Sequence, residues 1–242
     1  MIKRIFDILA SLFGLLISSL ILIPIIFLVW KEDRGAPFYI AQRSGRYSGS
    51  FKMVKLRSMF VDADKSGVDS TSGNDTRITP IGHKIRKYKL DELMQLWNVL
   101  IGDMSIVGPR PNVLQETALY TNVEKKLLSV RPGITDFSSI VFSDEGEILK
   151  GEVDPDLAYN QLIRPWKSRL GLIYIQNQSF LLDLQIIFYT IIAIVSKPRA
   201  TNWVTKKLMS LNVDPDTVKV SKRDTKLYPT APPGSDKIVR SR

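Results

Sequence analysis

The segment Lys89-Leu90-Asp91-Glu92-Leu93-Met94-Gln95-Leu96-Trp97-Asn98-Val99-Leu100 carries two adjacent carboxylates at the start of an apolar helical pattern. Its large apolar residues recur at helical spacing, which predicts one buried helix face. That face would consist of Leu90, Leu93, Leu96, Trp97 and Leu100. Acidic residues in a first turn are favoured by the helix dipole, so the pattern alone is also that of an ordinary helix start.

Cations surround this acidic pair on both sides in the sequence. Four basic residues precede it: Lys84, Arg86, Lys87 and Lys89. The loop Gly108-Pro109-Arg110-Pro111 follows it, and its prolines restrict the backbone on either side of Arg110. A rigid loop that presents one guanidinium suits the binding of a phosphate. A carboxylate pair ringed by cations therefore favours chemistry on phosphates, in which one acid attacks and the other holds a metal ion.

The composition narrows the classes of function. The chain has 242 residues, a net charge of +10 and no cysteine. One sizeable domain with a membrane segment and a tail is expected from this length. The basic balance predicts an anionic partner: nucleic acid, anionic lipid or a phosphorylated substrate. Thiol catalysis, disulfides and cysteine zinc sites are excluded. With a single histidine, His83, any metal would be held by carboxylates, which favours magnesium or manganese.

Residues 5–30 form an apolar run with Asp7 as its one charge, long enough to cross a bilayer. Pro24 lies inside the run and predicts a kink. Basic residues flank both ends, so the positive-inside rule would place both ends on the cytoplasmic side. A re-entrant helix that bends at Pro24 and a kinked single span both agree with these features.

The rest of the chain alternates short elements and turns. We predict strands over residues 37–43 and 51–59, a polar loop over 62–79 and an amphipathic helix over 113–130. Residues 144–169 are predicted as partly helical, with breaks at Pro155 and Pro165. Residues 180–196 predict an interfacial or core helix. The polar, proline-rich residues after about 212 predict a loosely ordered tail.

The chain resembles a known family, the bacterial sugar transferases that start polysaccharide and glycoconjugate assembly. These enzymes are also called monotopic phosphoglycosyl transferases. The matches run in order through residues 3–197, and the ordered set is specific although each motif is short. The motifs are Lys3-Arg4-Ile5-Phe6-Asp7, Pro24, Phe38-Tyr39-Ile40-Ala41-Gln42-Arg43-Ser44-Gly45, Lys55-Leu56-Arg57-Ser58-Met59, Asp75-Thr76-Arg77-Ile78-Thr79, Leu90-Asp91-Glu92-Leu93, Gln95-Leu96-Trp97-Asn98-Val99-Leu100, Gly102-Asp103-Met104-Ser105-Ile106-Val107-Gly108-Pro109-Arg110-Pro111, Arg131-Pro132-Gly133-Ile134-Thr135 and Leu182-Asp183-Leu184.

The resemblance implies transfer of a phosphosugar from a UDP-sugar to undecaprenyl phosphate, with release of UMP. It implies that Asp91 attacks the sugar-bearing phosphate to form a covalent intermediate, and that Glu92 helps to hold Mg²⁺. Cations would offset the charge of the diphosphate. The substrate-binding candidates are Lys55, Arg57, Arg86, Arg110, Arg131 and, as a carboxylate near the family's active site, Asp183.

The resemblance also implies an architecture. We expect an α+β fold: a helix-rich irregular core with a few short strands, near residues 37–60 and 134–142, a re-entrant helix and interfacial amphipathic helices. The expected parts are a membrane-associated helix (1–34), a catalytic domain (35–200) on the cytoplasmic face of the bacterial inner membrane, and a C-terminal extension (201–242). The small, core-only form of the family is expected. Membrane lipids are expected partners, nucleic acid is not, and a homodimer is compatible with the sequence.

Three positions depart from the usual motifs. Ile23 precedes Pro24, where relatives can carry a serine. Met94 replaces a frequent proline and should extend the helix. The run Asp136-Phe137-Ser138-Ser139-Ile140 replaces a glycine-tryptophan-alanine-glutamine run and could bear on the sugar accepted. Two other functions stay open: a membrane-anchored scaffold with a basic surface, and a metal-dependent hydrolase that needs no lipid acceptor.

Overall fold

The structure, a computed structural model, describes residues 1–63 and 75–241. The helix-rich α+β class expected from the sequence is confirmed, with only short strands. Much of the predicted polar loop over 62–79 lies outside the described residues.

Four short strands form two separate pairs. β1 (Phe38–Ser44) and β2 (Ser50–Leu56) make an antiparallel hairpin. Both predicted strands are confirmed, although the second ends at Leu56 and not at residue 59. β3 (Ser105–Val107) and β4 (Gly133–Thr135) pair in parallel. The strand expected near 134–142 is wrong beyond Thr135, because Asp136 accepts a hydrogen bond from the Ser139 backbone at 2.8 Å and starts a helix.

The N-terminal apolar run forms one helix, α1 (Ile2–Asp33), with Pro24 inside it. It is the one helix in the described ranges that is long and apolar enough to cross a membrane. Its buried residues make a single stripe, Asp7, Ser11, Ser18, Leu22 and Val29. Most other side chains of α1 are exposed and apolar. One face of α1 therefore packs on the rest of the protein, and the other faces remain uncovered.

The stretch from Lys89 to Leu100 differs from the continuous helix predicted for it. α2 (Pro80–Lys87) is followed by a 3₁₀ helix (Leu90–Met94) and then by α3 (Gln95–Ile101). The predicted buried face is wrong within α3, since Trp97 is 46% exposed whereas Gln95, Asn98 and Val99 are buried. In a 3₁₀ helix residues i and i+3 are in line, so Leu90 and Leu93 pack together against α1.

The amphipathic helix predicted over 113–130 is interrupted. The segment forms α4 (Leu114–Ala118) and a 3₁₀ helix (Glu124–Ser129). Between them, the Thr121 backbone donates to the Glu124 carboxylate at 3.0 Å, and the Glu124 backbone donates to Thr121 Oγ1 at 3.1 Å. This reciprocal capping box starts a new helical turn, and its Thr-x-x-Glu pattern is visible in the sequence.

Helices make up the C-terminal half and surround the largest apolar core. They are α5 (Phe137–Val141), α6 (Glu145–Ile148), α7 (Pro155–Ala158), a π turn (Tyr159–Ile163), α8 (Arg164–Asn177), α9 (Phe180–Val195), α10 (Lys197–Ser210) and α11 (Pro215–Lys222). The predicted helix at 180–196 is confirmed. Pro155 begins a helix, but the break predicted at Pro165 is wrong, because the helical turns continue through it.

The loosely ordered tail predicted after about residue 212 also needs correction. Residues 215–222 are helical, and Val218 and Leu227 belong to the main core. The Thr230 backbone donates to the Gln161 carbonyl at 3.0 Å. In an α-helix, that carbonyl would accept from residue 165, which is proline and has no N–H. The tail therefore satisfies a carbonyl left free by Pro165.

Candidate active site

The acidic pair lies where two helical segments meet. Lys89 adopts a left-handed conformation with φ of 56° and turns the chain from α2 into the 3₁₀ helix that carries Asp91 and Glu92. Both carboxylates thus lie in a first turn, where free backbone N–H groups stabilise negative charge. Asp91 is partly exposed and takes no hydrogen bond from any residue that the structure describes. Its oxygens are available to a ligand.

Arg110 holds the second carboxylate. Its Nη2 lies 2.7 Å from Glu92 Oε1, and its Nη1 lies 3.3 Å from Oε2, which is a forked pairing. Burial would raise the pKa of Glu92, but the charges of Arg110, Lys89 and Lys55 outweigh it and lower that pKa to about 2. Glu92 is therefore ionised throughout the physiological range.

Lys55 approaches the pair from the end of β2. Successive strand residues alternate between faces, so Lys55 lies on the same face as Phe51 and Met53, which pack against Val99. Burial and the charge of Arg110 lower the pKa of Lys55 to about 8, while Asp91 and Glu92 oppose that shift. Lys55 is thus a cation held beside both carboxylates, with a pKa close to neutrality.

Asp91 differs electrostatically from its neighbour. Burial raises its pKa, the nearby charge of Glu92 raises it further, and Lys55, Arg86 and Arg110 lower it. A partly desolvated carboxylate without hydrogen bonds is a better nucleophile than one in water. The surrounding cations favour its ionised form and would also neutralise an incoming phosphate.

The loop that carries Arg110 is fixed by the parallel pair of strands. The Gly108 backbone donates to Thr135 at 3.0 Å, and the Gly133 backbone donates to Pro109 at 2.9 Å. The two chains are so close that a Cβ on Gly133 would lie 2.1 Å from the Gly108 nitrogen. Arg110 Nη1 also donates to the Ile134 carbonyl at 3.2 Å. Sequence reasoning predicted a rigid loop, and β4 explains that rigidity.

Two further charged residues belong to this site and were not predicted. Lys167 of α8 pairs with Glu145 of α6. The charge of Glu145 acts on Arg110, and burial opposes the cations that lower the pKa of Glu145. Lys167 also lines a small recess with Arg110 and Asp136. These residues lie far from Asp91 in sequence and in no motif, so no local signal pointed to them.

Three predicted substrate-binding residues have other partners. Arg57 pairs with Asp33 at 2.5 Å, and Asp183 pairs with Lys3 at 2.6 Å. Arg131 is exposed and donates to the Gly102 carbonyl at 2.8 Å. The largest charge effects on Asp91 and Glu92 come from other residues. Of the six predicted substrate-binding residues, the structure therefore brings Lys55, Arg86 and Arg110 to the pair, and roles of the other three in binding substrate stay predictions.

The acidic pair fits a metal ion only in part. Within residues 1–63 and 75–241 there is no group of three or more acidic, histidine or cysteine side chains that could enclose a metal. Both oxygens of Glu92 already accept from Arg110. Mg²⁺ commonly uses one or two carboxylates and takes its remaining ligands from water and substrate phosphates. A magnesium ion at Glu92 would therefore need most of its ligands from water and substrate phosphates.

The chain is similar in sequence to several known proteins. A family model described as bacterial sugar transferase matches residues 1–197. An uncharacterized sugar transferase of Bacillus subtilis, EpsL, is 34% identical over 84% of this chain and 93% of its own length. The exopolysaccharide production protein ExoY of Rhizobium meliloti is 35% identical over 80% of this chain and 85% of its own. An undecaprenyl-phosphate glucose phosphotransferase of Komagataeibacter xylinus is 37% identical over 78% of this chain but only 35% of its own length.

Proposed function

Since the chain belongs to the bacterial sugar transferase family, we propose that it transfers a phosphosugar from a UDP-sugar to undecaprenyl phosphate and releases UMP. The product would start assembly of a polysaccharide or glycoconjugate. The observation that carries this proposal is Asp91, a partly buried carboxylate that accepts no hydrogen bond from the described residues and is acted on by the charges of Lys55, Arg86 and Arg110. The name of the Komagataeibacter xylinus relative supports undecaprenyl phosphate as acceptor.

The reaction proceeds in two displacements at one phosphorus. An Asp91 oxygen attacks the sugar-bearing phosphorus of the donor, the bond from that phosphorus to the bridging oxygen breaks, and UMP leaves. This gives an aspartyl phosphosugar. A phosphate oxygen of undecaprenyl phosphate then attacks the same phosphorus, the bond to Asp91 breaks, and the lipid diphosphate sugar forms. One site thus serves a soluble donor and a membrane-bound acceptor in turn.

The cations around Asp91 have distinct tasks in this scheme. Lys55 and Arg86 offset the charge of the phosphoryl group under attack. Arg110 is oriented by Glu92 and by the Ile134 carbonyl, so it contributes a fixed guanidinium. Glu92 would help to hold Mg²⁺ together with the donor phosphates. When bound, the ion would stabilise negative charge on the departing nucleotide.

The attachment of α1 supports a re-entrant or surface-lying helix on one side of the membrane. Near its start, Lys3 pairs with Asp183, and the Arg4 guanidinium donates to the Val99 and Leu100 carbonyls. At its end, Asp33 pairs with Arg57. A straight span would separate its two ends by roughly 48 Å across the bilayer. Here both ends contact one folded domain, which we place at the cytoplasmic face of the inner membrane.

A second apolar surface supports this membrane placement. α9 exposes a series of large apolar side chains: Leu181, Leu184, Phe188, Ile191, Ile194 and Val195. Exposed apolar area of this extent marks an interaction surface. We propose that α9 lies in the membrane interface beside α1.

The test is transfer by the purified protein in detergent with Mg²⁺, undecaprenyl phosphate and a panel of UDP-sugars, read as UMP release. We expect continued turnover with a subset of donors only when both lipid and metal are present, whereas donor and metal without lipid should release no more than one UMP per protein molecule. Asp91→Asn should lower the rate by about 10⁴-fold or more, because a nucleophile is lost. Mass spectrometry of the wild type with donor alone should find a phosphosugar on Asp91.

Two results would contradict this proposal. UMP release that continues without the lipid acceptor at the full rate would indicate a hydrolase. Substantial transfer by a folded Asp91→Asn protein would exclude Asp91 as the nucleophile. The thermal melting curve of Asp91→Asn is the control for folding, and we expect a cooperative transition close to that of the wild type, because Asn is nearly isosteric with Asp and Asp91 accepts no hydrogen bond from the described residues.

A further inference from the structure

Gln95 has a fully buried side-chain amide. The residue is 0% exposed, and neither Nε2 nor Oε1 makes a hydrogen bond within residues 1–63 and 75–241. A buried amide that has lost its water and gained nothing destabilises the folded protein. Such groups are rare in native proteins, so each one calls for a physical explanation.

The position of Gln95 suggests where its partner is found. Val99 follows it by one turn of α3 and packs against Phe51 and Met53 of β2. Lys55 comes next on that face of the strand. Asp91 precedes Gln95 by four residues, and its charge acts on Lys55. Gln95 therefore lies on the face of α3 that meets β2, one turn before Val99 and directly after the 3₁₀ helix that carries Asp91. A helical side chain points toward the N-terminus of its helix, which directs Gln95 toward the segment of Asp91.

A neighbouring amide on the same face shows what a structural role looks like. Asn98 Oδ1 accepts from the Val54 backbone at 2.9 Å, and its Nδ2 donates to the Lys52 carbonyl at 2.7 Å. Asn98 thus ties α3 to β2 with both ends of its amide. Gln95 is equally buried and makes neither kind of bond.

We propose that Gln95 is a positioning residue of the transferase, whose amide donates a hydrogen bond to the Asp91 carboxylate once the donor is bound. This role rests on the proposed function, because the Gln95–Asp91 hydrogen bond would form only when the UDP-sugar is bound and Asp91 acts as the nucleophile. The terminal amide torsion of glutamine is broad and easily changed. A small rotation of the Gln95 amide, with closure of Asp91 toward it, pairs two groups that are both unpartnered in the free protein.

This bond has a clear consequence for the reaction. When the Gln95 amide donates a hydrogen bond to one Asp91 oxygen, the other oxygen is left to attack the phosphorus. The hydrogen bond also fixes the direction of that attack. Gln95 acts through Asp91 and does not touch the sugar, so it should influence the rate of the chemical step more than binding of the donor. The free protein keeps a destabilising group for this purpose, as functional sites commonly do.

The experiment compares Gln95→Met with Asn98→Leu, two variants that remove a buried amide from the same helix face. Both are measured for thermal melting and for kcat and KM toward the UDP-sugar. We expect Gln95→Met to melt at the wild-type temperature or above, since it removes an unpaired polar group, while its kcat falls by about 10²-fold at nearly unchanged KM. Asn98→Leu should melt lower, since it leaves the Val54 and Lys52 backbone groups unpaired.

Two results would overturn the positioning role. If Gln95→Met melts well below the wild type, the amide has a structural partner such as a buried water. If Gln95→Met keeps its kcat, the amide is not used in the reaction. Asp91→Asn separates this failure from failure of the proposed function: an active Asp91→Asn protein removes the premise, whereas an inactive one beside a fully active Gln95→Met protein overturns only the role of Gln95.

Discussion

Among single residues, Lys55 is the one whose charge we expect to change the rate of transfer near neutral pH. Burial and Arg110 lower its pKa to about 8, so its charge is present below that pH and is lost above it. The wild-type kcat/KM, which reports the free enzyme, should therefore fall as the pH rises through about 8. Lys55→Arg stays charged and should move this fall to higher pH, even if the maximal rate drops. The measurement is the pH profile of kcat/KM.

Lys52→Arg is the control for that profile, because Lys52 is exposed on the same strand. Its profile should follow the wild type. If Lys55→Arg also keeps the fall near pH 8, another group controls it, and Lys55 does not act on the donor phosphates in its charged form.

Arg110 makes a second prediction at the residue scale. Its guanidinium holds both oxygens of Glu92 and the Ile134 carbonyl, which a lysine ammonium cannot reproduce in one plane. Arg110→Lys should lower kcat/KM by about 10²–10³-fold although the charge is kept. Arg46→Lys, at an exposed arginine that contacts the Ser129 carbonyl, is the control and should have little effect. Equal losses of kcat/KM in the two variants would exclude a specific role for the paired hydrogen bonds between Arg110 and Glu92.

Among the elements, the parallel pair β3–β4 determines where Arg110 lies. Gly133→Ala would place a methyl group 2.1 Å from the Gly108 nitrogen, so the strands must separate. We expect a loss of about 1–3 kcal/mol in stability and a larger relative loss of kcat, since the Arg110 loop moves with Gly108. Thermal melting and kinetics together measure it. Gly151→Ala, at a glycine with no neighbour within 4 Å but with φ of 82°, is the control for backbone strain alone.

Helix boundaries show how elements depend on capping. Thr121 and Glu124 cap each other and start a new helical turn inside the helix predicted over 113–130, although the apolar periodicity continues. Asp136 likewise starts α5 where a strand was expected. Both caps are readable in the sequence as a polar residue three positions before its partner. Periodicity alone did not reveal them, because it reports which face is apolar and not where the backbone turns.

At the scale of the whole molecule, the C-terminal tail (residues 224–242) is hydrogen-bonded to the rest of the protein. Pro233 accepts from Thr121 Oγ1 at 2.5 Å, Ala231 accepts from Arg169 at 3.0 Å, and Val239 accepts from Gln161 at 2.7 Å. Removal of residues 224–242 breaks these bonds and uncovers the part of the apolar core that Leu227 contacts. We expect it to lower the free energy of unfolding by about 2–4 kcal/mol. We expect a melting temperature lower by roughly 4–16 °C, from 2–4 °C per kcal/mol.

Removal of residues 240–242 is the control for that truncation, because it leaves the Gln161–Val239 bond in place. Its melting temperature should match the full chain. An unchanged melting temperature after removal of 224–242 would mean that the tail contacts contribute nothing to stability.

The sequence alone determined the features that local chemistry encodes. These are the apolar N-terminal helix, the β1–β2 hairpin, the helix over 180–195, the acidic pair and the rigid loop of Arg110. Each rests on residue types within one short segment, because periodicity, proline restriction and charge act over a few residues. The family followed from the order of such segments along the chain.

The tertiary structure decided which partners those residues find. Arg57 and Arg110 are both arginines in family motifs, yet Arg57 holds the end of α1 and Arg110 holds Glu92. Trp97 is exposed and Gln95 is buried, against their ordinary preferences, since α3 meets β2 and α1 on particular faces. Contacts between distant segments depend on how whole elements pack, and no local pattern records that packing.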